Sequence, residues 1–486
     1  MTTNPIPLKP IPLKPLCGVL ILAGNKSFGR TKNGRLLYQC IPFDKELPVF
    51  LVPCTLEVGF SKVQVNRYIL FKFESSKSSL LQGTCVQTFG PVTDLRAYSE
   101  YLMWGYGLYP RANLDFQSIM IKTEVDVLEE VEVKGPCIFT MDPAGAEIFD
   151  DALSLWLDPV TGLWTVDVFI AYADVGVERL TCEGWPSNVY WPWNKRLSML
   201  PTTWVRSRSL QVGEVRTAVR MRRHIDLETG AFLGNPVLSL VHDLVVTVRG
   251  IYGTPLSDPS FDLFLGFTER LYTSTALSSS TTSLSLDQRC RNMVQFWMTE
   301  MNRCTASYIS DGGFKAFYKN GGMGIKTLVK DGLNDSYGYV FGSVTGDCYI
   351  QCTSPLRRRV DMLNQHILVS LISGSVYRGF DTGFDTGFDT GLEQMNRLTK
   401  AVHKITAQVH LLHYVSSHTS DNIVTGVVGE CLGTNKWSVY LPRLRIYTTF
   451  KTASCLETGS EMCFKLYYFA REHDVKKKVR VEMVSL

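Results

Sequence analysis

The sequence lacks the long apolar segments that mark membrane and secreted proteins. A membrane-spanning helix takes roughly 20 consecutive apolar residues, and the apolar run near the N-terminus, Leu16 to Ala23, is less than half of that span. The N-terminus also lacks the charged start and small-residue cleavage site of a secretory signal. We therefore expect an intracellular protein, in the first place a cytoplasmic one, that does not associate with membranes.

The cysteines lack the arrangement of a metal site or a disulfide framework. They are scattered from Cys17 to Cys463, they number 13, and none of them forms the CxxC pair of a zinc site. This pattern is typical of free thiols in a reducing compartment.

The sequence also has little excess charge of either sign. Its formal net charge of +4 is too small to indicate nucleic-acid binding by itself. The distribution is more informative, because the segment from Tyr190 to Ile225 holds eight basic residues against a single acid, Glu214. The basic residues of this segment are Lys195, Arg196, Arg206, Arg208, Arg216, Arg220, Arg222 and Arg223.

What the sequence does contain indicates an α+β protein of several domains. The length of 486 residues exceeds one typical domain, and a hydrophobic fraction of 45% describes an ordinary folded protein. Short strands separated by turn residues predict a small β-barrel or sandwich near each end, and the middle reads as mixed α/β. In chain order we predict a disordered tail (1–16), a first barrel (17–92), a connecting segment (93–134), the α/β domain (135–417) and a second barrel (418–486).

Two segments near the end of the α/β region have distinct patterns. Residues from Leu392 to Val415 place apolar side chains at helical spacing, which predicts an amphipathic helix. Before them, residues 379–391 read GFDTGFDTGFDTG, a perfect four-residue repeat. Glycine at every fourth position argues against a helix, so we predict a surface loop there.

The stretch from Cys137 to Leu155, CIFTMDPAGAEIFDDALSL, is a candidate metal site. An apolar strand leads to Asp142, a loop of small residues follows, and Asp150 and Asp151 precede another apolar strand. Acidic residues packed into a turn repel one another and need either open solvent or a cation. Mg²⁺ binds such oxygen ligands together with water and phosphate. A solvated acidic turn would show the same pattern.

A second stretch, CTSPLRRRVDMLNQHIL from Cys352 to Leu368, combines a predicted helix start with three arginines. Ser354 and the following proline open the predicted helix, and the arginines lie in its first turns. Cations near a helix N-terminus oppose the helix dipole, so they do not serve helix stability. They suit a site that faces phosphates, although a merely basic helix surface is the alternative.

Together the two stretches resemble the hallmark segments of the ribonuclease II/R family, whose catalytic domain also occurs in the exosome. The resemblance is carried by the DP-small-loop-DDAL run and by TSPLRR-x-x-D-x-x-x-x-H. IAYADVG (170–176), NVYWPWNKRLSMLP (188–201) and MVQFWMTEMNRCTA (293–306) are similar to further family motifs. Residues 68–108 and 425–442 resemble its flanking barrels, so the resemblance covers nearly the whole chain.

The resemblance implies a fold and a set of catalytic residues. The fold would be a mixed α/β ribonuclease II-type catalytic domain flanked by small OB-type β-barrels, the first of them cold-shock-like. Asp142, Asp150 and Asp151 would bind Mg²⁺, with Mn²⁺ as an alternative, at the scissile phosphate. Arg357 would neutralise charge that develops on the phosphoryl oxygens.

The resemblance also implies residues that contact RNA. Tyr190 occupies the position of an aromatic side chain that stacks on the terminal base, and Arg358, Lys195 and Arg196 would bind the backbone. The tryptophans near Tyr190 would line the RNA path, with core packing as the alternative. The implied partner is single-stranded RNA, and we expect a monomer.

The chain departs from the family pattern at the metal site. The family has D-x5-D-x-D-D, and the second of these aspartates is Ile148 here. An aliphatic side chain binds no metal, and only a shift of the loop would bring the adjacent Glu147 into its place. Two family histidines are also replaced, by Ala171 and Gln351.

Three hypotheses follow. The first is a 3′→5′ exoribonuclease that releases nucleoside 5′-monophosphates. The second is a homologue that binds RNA without cutting it, for which Ile148 is the best argument. The third is an unrelated enzyme that acts on DNA or another phosphoester.

Overall fold

The computed structural model describes residues 14–54, 64–74, 81–108, 136–173, 185–193, 195–274, 284–319, 339–344, 349–374, 385–418, 422–444, 446–473 and 478–484. Nearly all of the predicted tail, most of the connecting segment and residues 379–384 of the repeat lie outside these ranges. Among the helices described, none combines the length and the apolar character needed to cross a bilayer.

The N-terminal strands close into a small barrel, as the strand pattern predicted. Its strands follow the order β1-β2-β3-β5-β4, with β3 and β5 parallel and the other pairs antiparallel. Phe50 and Phe71 fill the interior and are fully buried. The strands are β1 (Leu16–Leu20), β2 (Leu37–Pro42), β3 (Phe50–Pro53), β4 (Arg67–Glu74) and β5 (Gln82–Pro91).

Helix α1 (Leu95–Gly105) follows the barrel and covers it. Asp94 caps its N-terminus by accepting a hydrogen bond from the Arg96 N–H at 2.8 Å, which satisfies one of the free donors of the first turn. Tyr101 of the helix stacks on Tyr68 of β4, with ring centroids 4.4 Å apart.

A six-stranded sheet of order β12-β11-β8-β7-β6-β13 forms the centre of the molecule. Only β13 is parallel to its neighbour, β6. Strand β8 is an almost continuous buried run, as expected where both faces of a sheet are covered. The strands are β6 (Phe139–Asp142), β7 (Asp151–Leu157), β8 (Trp164–Ala171), β11 (Val215–Ile225), β12 (Phe232–Val245) and β13 (Val248–Ile251).

Helices pack against this sheet around one large core, in which Trp297 and Phe261 are completely buried. A hairpin of β9 (Val189–Tyr190) and β10 (Arg196–Leu197) and a three-stranded sheet of order β15-β14-β16 complete the region. The remaining elements are α2 (Thr202–Arg208), α3 (Pro259–Ser274), α4 (Leu286–Asp311), β14 (Lys315–Lys319), β15 (Tyr339–Ser343), β16 (Tyr349–Ile350) and α5 (Arg359–Ile372).

The long helix α6 (Asp385–Ser417) joins the two ends of the chain. Its residues Leu398 and Ile405 share a core with α1 and the N-terminal barrel, whereas Val415 packs on the C-terminal sheet. That sheet has the order β19-β18-β17-β20-β21. Its strands are β17 (Ile423–Gly433), β18 (Lys436–Leu441), β19 (Ile446–Lys451), β20 (Glu461–Tyr468) and β21 (Val479–Val484).

Two predicted helix starts were wrong. α6 begins at Asp385, inside the repeat that was predicted to be a loop. Each glycine costs a helix about 1 kcal/mol, but extension of an existing helix needs no new nucleation step. α5 begins at Arg359 rather than near Ser354, so Arg357 and Arg358 precede the helix. Ser187 forms an antiparallel β-bridge with Arg358, and the Arg358 backbone is extended.

Trp191 belongs to the packed interior. It is 5% exposed and stacks on Trp193, with ring centroids 5.6 Å apart. Both rings lie in the cluster shared with α6 and the N-terminal barrel. Core packing is therefore the role that the structure assigns to Trp191.

Candidate active site

Three aspartates meet at one end of the central sheet. Asp142 is the last residue of β6, Asp151 is the first residue of β7, and Asp150 directly precedes it. β6 and β7 are antiparallel neighbours, so the end of one lies beside the start of the other. The Asp150 carbonyl accepts a hydrogen bond from Ala171 N at 2.8 Å, and the Asp142 carbonyl accepts one from Tyr252 N at 3.0 Å.

The three carboxylates repel one another. Asp150 is buried, whereas Asp142 and Asp151 are half-buried. Burial raises the pKa of Asp142 to about 7, and the negative charge of Asp150 adds to this rise. Burial also raises the pKa of Asp151 well above its ordinary value, with Asp142 and Asp150 contributing. Like charges in a shared site oppose one another's ionisation, so a cation bound here would stabilise the ionised form.

Arg357 faces this cluster from the turn before α5. Its Nε donates a hydrogen bond to Asp150 Oδ2 at 2.9 Å, and the Leu356 N–H donates to Oδ1 at 3.0 Å. Its Nη2 donates to Ser354 Oγ at 3.1 Å. Burial by itself would lower the pKa of Arg357, but the Asp150 carboxylate reverses the shift. The two stretches singled out in the sequence thus meet in the fold through a charged pair.

Arg358 is held by a different carboxylate. Its Nη2 lies 2.9 Å from Oδ2 of Asp361, which is completely buried. The same oxygen accepts a hydrogen bond from Ser354 N at 3.0 Å. Burial raises the pKa of Asp361, and the charge of Arg358 opposes this. About a third of the Arg358 side chain (32%) is exposed, so it supports the turn while part of it faces solvent.

The residues predicted to bind RNA lie around the β9–β10 hairpin. Tyr190 and Arg196 are direct partners across its two strands. The Tyr190 side chain is exposed, and so is Lys195. The hairpin is attached to the arginine turn, because Asn188 N donates a hydrogen bond to the Arg357 carbonyl at 3.0 Å. The structure therefore brings the hairpin next to the aspartate cluster.

The position of the missing family aspartate is filled by apolar packing. Ile148 is 9% exposed and belongs to the central core. Glu147 does not replace it, because its carboxylate turns outward and pairs with Arg196, Oε2 to Nη2, at 2.9 Å. Its side chain is 73% exposed.

Three further residues lie near the site, and no sequence pattern placed them there. Arg249 of β13 donates a hydrogen bond to the Ala146 carbonyl at 3.1 Å, and its charge opposes the rise in the pKa of Asp142. Tyr252 follows β13, and burial together with Asp151 and Asp142 raises its pKa. His410 of α6 lies with Nε2 3.1 Å from the Tyr190 carbonyl. Only the parallel pairing of β13 with β6, and the docking of α6, reveal them.

No model of a known protein family matches the chain, and no curated protein matches its sequence. Solved structures do match. The apo form of Mycoplasma genitalium RNase R has a TM-score of 0.64 at 12% identity, covering 97% of this chain and 89% of its own. RNase R in complex with double-stranded RNA has a TM-score of 0.63 at 12% identity, covering 98% and 96%.

This chain has the fold of RNase R. The mixed α/β architecture with small barrels that the family resemblance implied is thereby confirmed. Yeast Ssd1, described as a pseudonuclease, shares the fold with a TM-score of 0.58 at 12% identity, covering 98% of this chain and 68% of its own. At 12% identity the likeness to RNase R and Ssd1 establishes the fold.

The carboxylates fit a magnesium ion that is completed by other ligands. Asp142 and Asp151 accept no side-chain or backbone hydrogen bond from the described residues, while both oxygens of Asp150 are occupied. Mg²⁺ is commonly held by one or two carboxylates together with water and substrate phosphate. Within the described ranges, no group of three or more His, Cys, Asp or Glu side chains is arranged to hold a metal by itself. Asp142 and Asp151 are the residues that would hold such an ion.

Proposed function

We propose that this protein is a 3′→5′ exoribonuclease that hydrolyses single-stranded RNA to nucleoside 5′-monophosphates. The observation that supports this most directly is the meeting of Asp142, Asp150 and Asp151 with Arg357, in a fold shared with RNase R. A strongly perturbed carboxylate cluster beside a fixed cation is the kind of site at which phosphoryl chemistry occurs.

Each residue of the cluster has a role in this proposal. Asp142 and Asp151 would hold magnesium, or manganese in its place, which supplies activation of water and of the phosphate when bound. Asp150 fixes the guanidinium of Arg357 by the 2.9 Å bond. Arg357 is then positioned to stabilise the negative charge that develops on the phosphoryl oxygens.

The hairpin would bind the end of the RNA. The exposed ring of Tyr190 offers a stacking surface, and stacking tolerates any base because every base has a π-face. Lys195, Arg196 and the exposed part of Arg358 offer positive charge to the backbone. Because the hairpin is bonded to the arginine turn, a base on Tyr190 would place its phosphate near the cluster.

The test uses single-stranded RNA of a few dozen nucleotides, labelled at its 5′ end, with Mg²⁺, Mn²⁺ or EDTA. We expect a ladder that shortens from the 3′ end in either metal and is absent in EDTA and in Asp150→Asn. A matched DNA oligomer separates this activity from that of a DNA-directed enzyme, because recognition of RNA depends on the 2′-OH. RNA that stays intact in both metals would contradict the proposal.

The second candidate is an RNA-binding protein that does not cleave. Two observations favour it: Ile148 fills the position of a family aspartate, and Glu147 points away from the cluster. Its fold is also that of the pseudonuclease Ssd1. Tight binding in a gel shift without shortening in either metal would establish this candidate and exclude the first.

A further inference from the structure

The ion pair of Glu147 with Arg196 joins two parts of the candidate site. Glu147 lies in the loop between Asp142 and Asp150, and Arg196 lies in the hairpin that carries Tyr190. Oε2 of Glu147 is 2.9 Å from Nη2 of Arg196. The loop that leads into the aspartate cluster is thus attached to the surface proposed to bind RNA.

The two partners differ in exposure to solvent. The Glu147 side chain is 73% exposed and that of Arg196 is 18% exposed. Arg196 Nε also donates a hydrogen bond to Ser198 Oγ at 3.1 Å, which fixes the guanidinium. An ion pair with an exposed partner is weak, so the carboxylate can leave while the guanidinium stays in place.

The position of Arg196 relative to Tyr190 indicates which anion would replace the carboxylate. Direct partners in an antiparallel pair present their side chains on the same face of the sheet, about 5 Å apart, and these two residues are such partners. A base stacked on Tyr190 would therefore carry its backbone phosphate to Arg196. Phosphate and carboxylate oxygens accept the same charge-assisted hydrogen bonds from a guanidinium.

We propose that the Glu147 carboxylate occupies the position on Arg196 at which an RNA phosphate binds, and that RNA binding displaces it. Glu147 is then an internal competitor that weakens RNA binding near the 3′ end. The inference rests on the RNA-binding part of the proposed function and is independent of cleavage.

The experiment measures RNA affinity without turnover. A fluorescent oligouridylate is titrated in EDTA with the full chain, with Glu147→Gln, with Arg196→Gln and with the double variant. Glutamine keeps the length and the polarity of both side chains while it removes their charge. Glu269→Gln is the matched control, because Glu269 accepts a hydrogen bond from Arg289 Nη2 at 3.0 Å between α3 and α4, away from the hairpin.

We expect Glu147→Gln to bind RNA roughly two- to fivefold more tightly, the range that corresponds to an exposed ion pair. Arg196→Gln should bind more weakly, with a salt dependence reduced by about 0.7 in slope. In the Arg196→Gln background, Glu147→Gln should have no further effect, and Glu269→Gln should bind as the native chain does.

Three outcomes overturn the inference. Unchanged or weaker binding by Glu147→Gln shows that the carboxylate does not compete. If Glu147→Gln raises RNA affinity equally in the Arg196→Gln background, or if Glu269→Gln raises it as much, the effect is one of overall charge and not of competition for Arg196. RNA that fails to bind the native chain refutes the proposed function, and this inference with it, whereas binding without the Glu147 effect refutes the inference alone.

Discussion

Two buried aspartates, Asp167 within β8 and Asp150 directly before β7, are paired with arginines at nearly the same distance. Asp167 Oδ1 lies 2.8 Å from Arg222 Nε, and Asp150 Oδ2 lies 2.9 Å from Arg357 Nε. Asp167 is 2% exposed and Asp150 is 3% exposed. Distance and burial therefore do not distinguish the pairs, and the difference lies in what surrounds them.

The Asp167 pair is closed and balanced in charge. Arg222 forms a second bond, from Nη2 to Asp167 Oδ2 at 2.8 Å, and Trp156 Nε1 donates to the same oxygen at 3.1 Å. The guanidinium also lies 5.1 Å from the centroid of the Trp156 ring. Asp158 and Arg220 also act on this pair, but they add one charge of each sign, so the group stays balanced. The pair joins β8 to β11 and needs no further ligand.

The Asp150 pair is surrounded by two more carboxylates. The negative charge of Asp150 adds to the rise in the pKa of both Asp142 and Asp151, and Asp142 raises the pKa of Asp151 further, whereas Arg357 and Arg249 oppose the rise for Asp142. When all three carboxylates are ionised, the guanidinium groups of Arg357 and Arg249 do not balance their charge, and a bound cation would. An arginine–aspartate pair is therefore a candidate for function when the charge around it is unbalanced, and structural when it is not.

The largest expected effect comes from Asp150→Asn. Loss of the charge that holds Arg357 should lower turnover at least about 100-fold, as when a preorganised donor is removed from a reacting centre. RNA affinity should stay nearly unchanged, because the hairpin contacts remain. Single-turnover cleavage and gel shifts measure the two quantities. A variant that cleaves at the native rate would contradict the assignment of Asp150.

Asp167→Asn should lower stability and leave turnover unchanged, the opposite of Asp150→Asn. It leaves the guanidinium of Arg222 without its charged partner, so the free energy of unfolding should fall by roughly 2–3 kcal/mol. Turnover per folded molecule should stay as in the native chain. Urea denaturation and cleavage at a temperature at which the variant is folded measure both. An Asp167→Asn variant that is as stable as the native chain but inactive would contradict the assignment of this pair to structure and of the Asp150 pair to function.

Ile148→Asp restores the carboxylate that the family pattern contains. If its absence limits metal binding, turnover in Mg²⁺ should rise roughly tenfold, the lower end of the range for a supporting metal-site residue. The unfolding free energy should fall, because a charge replaces a residue that is 9% exposed. Ile148→Asn is the control for volume and polarity. Equal rates in both variants would show that the aspartate charge is not what the site lacks.

The smallest effect is a dependence of stability on pH. The pKa of Asp142 is raised to about 7 in the folded chain, so the folded state binds this proton more tightly than the unfolded state. The stability from protonated Asp142 is present at low pH and is lost as pH rises to about 7. Relative to Asp142→Asn, the native chain should lose roughly 1 kcal/mol over this range, discounted for partial exposure. The prediction is contradicted if, in EDTA, the unfolding free energies of the native chain and of Asp142→Asn change equally with pH.

Regular patterns in the sequence were sufficient to predict much of the fold. Alternating apolar strands with turn residues predicted the barrel that contains Phe50 and Phe71, and helical spacing predicted most of α6. The acidic loop and the arginine turn were also recognised, because each is a short segment with its chemistry in adjacent residues. The first residues of α5 and α6 were not predicted correctly, because where a helix begins depends on contacts with residues elsewhere in the chain.

The sequence by itself determined which carboxylates and arginines are available and that Ile148 stands where a family aspartate would. Only the tertiary structure decided how these groups are paired: Arg357 with Asp150, Arg358 with Asp361, and Glu147 with Arg196. The physical reason is that charge pairing acts over a few ångströms in space. Strand pairing brought Arg249 beside the loop, and the arginine turn is far from the aspartates along the chain.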